Sequence, residues 1–305
     1  MKHTDGAVAT YTAQYDPAEL RRSYSAPYRG NKFAVHALNA MRPTNGPPVD
    51  VSRWRAELPP VRAVFGHAPP VCTVTAGPYR YTASEWYQDY SVSGAVFEQQ
   101  SKPHFSQGDQ LALEHRDAAY LAEAVGTGRA PWLFVNLQRT LRIDTTRSGL
   151  DGPAFARATV GDVLGAVTFV DPPTLSNLVV TETLYHASPG TYDRATVTAE
   201  VENAFAGYAA VVCASRLLSR AAHVHAGLWH CTATHSSPDA VAEILLAAAW
   251  AAGVSAVTLH TYTDVQTAAA ERARQLVETM GRCCPSASLF DLIDAIAQRE
   301  YAYGH

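Results

Sequence analysis

Charge is scarce along this chain. Only 17% of its 305 residues are Asp, Glu, Lys or Arg, and the balance is slightly acidic, at a formal net charge of -4. No basic face can dominate at that composition, which argues against a general nucleic-acid binder. Cysteine is scarce too. The five cysteines, Cys72, Cys213, Cys231, Cys283 and Cys284, are odd in number and irregular in spacing, so they define no disulfide framework. A reducing cytoplasm is the expected setting. Long apolar runs are missing: the stretch from Val241 to Val257 comes nearest to a membrane span, and Glu243 and Gly253 interrupt it. No membrane partner is expected. The opening residues, Met1-Lys2-His3-Thr4-Asp5, carry no apolar run of the kind a secretion signal needs. Apolar residues nevertheless make up 47% of the chain, enough for a sizeable core and too many for wholesale disorder. The length suits two domains, or one large domain with an extension.

Pro43, Pro47, Pro48, Pro59, Pro60, Pro69 and Pro70 punctuate the first 110 residues, which read as loops, short strands and short helices in an accessory N-terminal region. A helix is expected at about 109–125, where Leu111, Leu113, Ala118, Leu121 and Ala122 give partial helical spacing. Apolar and β-branched runs predict strands at 132–135, 166–170 (stopped by Pro172-Pro173) and 178–184. A helix over about 195–206 is expected to close at Gly207, with a buried strand at 209–213 and another at 222–226. Ser237 to Ala252 reads as a helix with Pro238 in its first turn and Gly253 at its C-terminal cap. A strand at 254–262 and helices at about 265–280 and 286–300 complete the pattern. Alternating strands and helices indicate a mixed or parallel sheet covered on both faces.

The segment Gly227-Leu228-Trp229-His230-Cys231-Thr232-Ala233-Thr234-His235-Ser236-Ser237 joins a strand's carboxyl end to a helix N-terminus. Ligands collect at that edge of open α/β sheets, and the unpaired amides of a helix N-terminus favour phosphate. The alternative is an ordinary capped loop with Ser237 as N-cap.

The run Val224-His225-Ala226-Gly227-Leu228-Trp229-His230-Cys231 resembles the stretch of poly(ADP-ribose) glycohydrolases in which a strand runs into Gly-Asn-Trp-Gly-Cys-Gly. An Ala-rich helix with Ile244-Leu245-Leu246-Ala247-Ala248-Ala249 follows in the same order. A strand then ends in Val257-Thr258-Leu259-His260-Thr261-Tyr262-Thr263-Asp264, and Ser288-Leu289-Phe290-Asp291-Leu292-Ile293 resembles the start of the family's last helix. The likeness is specific over residues 223–264, weaker to 300, and absent from the first 110. It implies a three-layer α/β/α, macrodomain-like mixed sheet over residues 111–305. It also implies an ADP-ribose or other NAD-derived small molecule as substrate, with no cofactor and no metal. On that resemblance Gly227, Trp229, His230, Cys231, Thr232, Thr234, His235 and Ser236 hold the diphosphate, and Tyr262 stacks on adenine. His230, Thr232, His235 and Ser236 depart from the family by replacing glycines, and Leu228 by replacing Asn.

The family's catalytic signature is a Gly-Gly-Gly loop, then Gln-Glu-Glu at a helix start, then Ile-Arg-Phe, with the second Glu as the acid. Matching that Phe to Phe205 places Glu202 at the acid, Val201 at the first Glu and Glu200 at the Gln. Gly190, Thr191 and Tyr192 fall on the three glycines and His186 on the ribose-site Asn. A single carboxyl group can protonate the leaving oxygen and then activate water. Residues two apart on a helix face different sides, so Glu200 and Glu202 cannot both face one site. A hydrolase acting through one Glu is one expectation; a binding module that has lost turnover is the other. A third constellation, His223, His225, His230, Cys231 and His235, supplies zinc-type donors at a spacing that matches no defined zinc motif.

Overall fold

The computed structural model describes residues 7–26, 28–42, 46–59, 65–91, 96–97, 105–126, 128, 131–145, 149–150, 152–182, 188–228, 231, 234–284, 286 and 288–304. Eight strands form one mixed sheet. From edge to edge they are β1 (Ala7–Tyr15), β2 (Val49–Ala56), β5 (Trp132–Ile143), β6 (Val167–Glu182), β4 (Trp86–Ser91), β8 (His223–Gly227), β9 (Ala256–Thr261) and β3 (Val71–Ala76). The strands β1, β2, β5 and β6 alternate in direction, whereas β6, β4, β8, β9 and β3 run parallel. The first 110 residues thus supply four strands, including the central β4. The expected accessory layer is part of the sheet itself.

Period-two alternation divides the strand side chains between two cores. Trp86, Leu133, Val179, Val224, Val257 and Leu259 point to one face, packed with α7 (Arg194–Leu217), α8 (Pro238–Ala252) and α10 (Leu289–Ala297). Tyr87, Trp132, Phe134, Leu178 and Val180 point to the other, beneath α3 (Gln107–Glu114) and α4 (Ala118–Val125). Trp86 ties β4 to the first face by donating from Nε1 to Ser215 Oγ at 2.9 Å. The helix α9 (Asp264–Cys283) flanks α8 and β3. A smaller third cluster gathers Val35, Leu141, Phe155 and Val163. No described helix is long and apolar enough to cross a membrane.

Three local expectations are corrected. The run Ala209 to Cys213 is helical, because α7 continues unbroken past Gly207. A Cβ at Gly207 would stand 2.4 Å from Thr181 Cγ2, so glycine there lets the helix lie close on the sheet. The runs at 166–170 and 178–184 belong to one long strand, β6, whose description ends at Glu182. Its ladder with β5 skips residues 170–173, where Pro172 and Pro173 offer no N–H. The helix expected at 109–125 is divided into α3 and α4 by His115 to Asp117. By contrast α8 starts and stops at its sequence signals. Ser237 caps it, Pro238 opens it, and Gly253 ends it at φ 74°.

Candidate functional site

The carboxyl end of β4, the carboxyl end of β8 and the first turns of α7 meet on one face of the sheet. Glu200 and Glu202 both sit on α7, but about 200° apart around its axis. Glu200 faces inward and is only 6% exposed. Glu202 faces solvent. The carboxylate brought into the structure is therefore Glu200, two residues from the position that the alignment on Phe205 marks as the acid. Its electrostatic neighbours are Tyr90, Tyr192 and Cys231. Burial first, and then the charge of Glu200 among others, pushes both phenols and the thiol up, so all three stay protonated at neutral pH. Tyr90 Oη donates to Gly227 O at 3.2 Å and joins β4 to the end of β8. Val201, at the position of the family's first Glu, is buried in the core.

The junction after Gly227 folds back on itself. Leu228 N donates to His260 O (3.0 Å), Cys231 N to Leu228 O (3.2 Å) and Ser236 N to Cys231 O (2.9 Å). His235 has φ 56°, the left-handed region. With the bond from Ser236 to Cys231 it makes the six-to-one closure of a helical turn, the position where glycine is preferred. Thr234 and Ser236 are buried with their hydroxyls 2.7 Å apart. The amides of Leu228, Cys231 and Ser236 are thus satisfied internally, and the expected bare-amide cradle is not found at those residues. Trp229, His230, Thr232 and His186 lie outside the described residues.

The chain's last strand covers this region. β10 (Ala302–Tyr303) pairs with β7 (Gly190–Thr191), Tyr192 N donates to Tyr301 O at 2.8 Å, and Gly304 N donates to His235 O at 2.8 Å. Tyr303 and Gly304 thereby join the segment at Gly190 to the segment at His235. A Cβ on Gly190 would meet the Tyr303 ring at 2.6 Å, so the close approach that glycine allows here is taken by the chain itself. Thr191 is exposed, whereas Tyr192 is buried against Tyr303 with its ring edge-on at 5.2 Å.

Comparison with solved structures finds a likeness of fold. The chain is similar in structure to bacterial poly(ADP-ribose) glycohydrolases. The enzyme from Thermomonospora curvata covers 86% of this chain and 85% of its own at 12% identity, with a TM-score of 0.43. The same enzyme bound to the inhibitor ADP-HPD gives 86% and 84% at 12% identity and a TM-score of 0.40. The enzyme from Deinococcus radiodurans in complex with ADP-ribose gives 87% and 94% at 10% identity and a TM-score of 0.36. No family model and no curated protein matches the sequence.

A second polar centre lies on the opposite face, where sequence reasoning found only part of it. His223 and His225 share that face, as their spacing on a strand requires. Their partners are Glu85 and His260, not Cys231, which belongs to the α7 face. His223 Nδ1 lies 2.9 Å from Glu85 Oε1, His225 Nε2 lies 3.2 Å from Glu85 Oε2, and His225 Nδ1 lies 2.9 Å from His260 Nε2. Burial, together with the neighbouring histidines, lowers His225 to about 4, and burial lowers His260 to about 4. Burial and the neighbouring histidines thus disfavour the imidazolium form of His225, while the carboxylate of Glu85 opposes that shift. Burial pushes Glu85 up, but hydrogen bonding from Thr82 and the charges of His225 and His223 outweigh it and hold its carboxyl low.

Next to this centre, Tyr79 packs its ring against His225 and His260 and also lines a cavity of about 390 Å³. The cavity is walled by Tyr81, Gln107, Gln110, Glu114 and Arg139. None of the expected site residues lines it. Tyr262, 41% exposed at the end of β9, reaches Gln107 Oε1 with its hydroxyl at 3.5 Å. Glu85 could have been suspected only from its position directly ahead of Trp86. Nothing in sequence spacing points to His260.

Proposed function

We propose that this chain is a hydrolase of a glycosidic bond in an ADP-ribose conjugate or a related NAD-derived nucleotide, with Glu200 as the single general acid and base. The reading takes the sheet with helices on both faces as macrodomain-like. It rests on one observation: Glu200 is buried beside Tyr192 and Cys231, which come from the two loops that the family resemblance marks as ligand-facing. Tyr192 and Cys231 stay protonated, so the carboxyl of Glu200 is the group there to which this reading gives the acid and base roles. As an acid it protonates the leaving oxygen while positive charge builds at the anomeric carbon. As a carboxylate it then takes a proton from the attacking water. Such a positioned group contributes about 10²- to 10⁴-fold in rate.

The internal pairing of Leu228, Cys231 and Ser236 favours a second reading, a module that binds the nucleotide without turning it over. Calorimetric titration with ADP-ribose and with NAD, followed by an assay of ADP-ribose release from ADP-ribosylated protein, separates the two. Binding with release supports the hydrolase. Binding without release supports the module, and no binding of either nucleotide overturns both.

A further inference from the structure

We propose that Glu85, His223 and His225 form a binding site for one divalent transition-metal ion of the zinc type, at the amino edge of the parallel strands. Their candidate donor atoms all lie within 4.8 Å of one another. A tetrahedral shell with bonds of about 2.1 Å spaces its donors about 3.4 Å apart. The observed separations from Glu85, 2.9 Å to His223 Nδ1 and 3.2 Å to His225 Nε2, fall about 0.5 and 0.2 Å short of that spacing, so the donors need open only slightly to admit an ion.

The hydrogen-bond chain behind His225 decides which atom it presents. His260 Nδ1 lies 3.0 Å from Gly77 O, an obligate acceptor, so that nitrogen carries the hydrogen. His260 Nε2, the other ring nitrogen, lies 2.9 Å from His225 Nδ1 and holds the His225 ring by that atom. This turns His225 Nε2 towards Glu85. That atom is buried, makes no hydrogen bond and faces Glu85 Oε2.

Each donor is braced from behind, as metal ligands are. His225 rests on His260 and the Gly77 carbonyl. His223 Nε2 lies 2.9 Å from Thr258 Oγ1. Glu85 Oε2 accepts from Thr82 Oγ1 at 2.8 Å and from Tyr87 Oη at 3.2 Å. Tyr87 and His225 stack with ring centroids 4.6 Å apart, which fixes the imidazole plane. The side chains of His223 and Glu85 are 30% and 25% exposed, so an ion can enter from solvent and keep a water on its open side. Two histidines, one carboxylate and an open position suit zinc, cobalt(II) or nickel(II). The site lies roughly 7–13 Å along β8 from Gly227 and on the opposite face of the sheet from α7, so it is separate from the surroundings of Glu200.

The test uses the full chain, stripped with a chelator. Zn²⁺ is titrated against a chromophoric competitor and Co²⁺ uptake is followed by its visible absorption. The proposal expects one ion per chain, lost by about 100-fold or more in Glu85→Gln and His223→Asn, and weakened about 10-fold in His260→Asn. Cys231→Ser and His235→Asn should leave the affinity unchanged. Imidazole nitrogen NMR of the wild-type protein gives a second readout that needs no variant to fold. Zn²⁺ should shift His225 Nε2 and His223 Nδ1 and leave the His260 tautomer in place. No stoichiometric uptake, or uptake untouched by Glu85→Gln, would overturn the site.

Discussion

Tyr301 Oη donates to Glu243 Oε1 at 3.1 Å, fastening the chain's last strand to the buried side of α8. Arg299 approaches the same oxygen at 3.5 Å, while Glu243 Oε2 is buried without a hydrogen bond. Glu243 is 1% exposed, and burial, only partly offset by Arg299 and Tyr301, pushes its carboxyl up to about 7. Between the ordinary carboxyl range and pH 7, the folded protein therefore holds a proton that the unfolded chain has released. The stabilisation from this proton is complete below the unfolded value and is lost as pH rises through 7. In Glu243→Gln that loss disappears. Urea unfolding should show the stability difference between variant and wild type moving in the variant's favour by roughly 1–3 kcal/mol from pH 4.5 to pH 8. A constant offset cancels in this comparison, and a difference that stays flat with pH would contradict it.

Gly207→Ala sets two effects against each other. Alanine favours the helix by about 1 kcal/mol. Its methyl carbon, however, would stand 2.4 Å from Thr181 Cγ2, and Thr181 cannot easily turn away because its Oγ1 accepts from Gln88 Nε2 at 2.7 Å. Overpacking of this kind costs about 1–3 kcal/mol or more, so net destabilisation is expected in chemical denaturation. A more stable variant would show that α7 can lift from the sheet without loss.

Gly190→Ala strikes at Tyr303 in the same way. Its added carbon would collide with the phenol ring, so β10 should detach from β7. Hydrogen exchange at Tyr192 N and Gly304 N should speed up by about 10-fold or more, while amides in the middle of α8 keep their protection. Unchanged exchange at those two amides would mean that the strand is held by other contacts.

How much of this was legible in the sequence depends on the range of the interaction. The helix α8 was legible because its caps are local: Ser237, Pro238 and Gly253 each act within a turn. The strand β8 was legible from the alternation of Ala222, Val224 and Ala226. The continuation of α7 through Gly207 was not, because the apolar run from Ala209 to Cys213 suits a buried helix as well as a buried strand. The glycine that looked like a stop signal marks a close approach to Thr181 instead. Trp86 to Ser91 gave no strand signal, since a central strand buried on both faces shows no alternation. At the candidate site, motif matching singled out Glu202 ahead of Glu200, but it does not encode which of the two the packing of α7 buries: Glu200 is buried and Glu202 exposed. The pairing of Glu85 and His260 with His225 depends on contacts 140 and 35 residues apart in sequence, which no local pattern encodes.

The role given to Glu200 is tested most directly by comparing ADP-ribose release from ADP-ribosylated protein in Glu200→Gln and Glu202→Gln. Glu200→Gln should lower kcat by about 10²- to 10⁴-fold with ADP-ribose affinity kept, and Glu202→Gln should match the wild type. Full turnover in Glu200→Gln, or its loss in Glu202→Gln alone, would contradict the assignment.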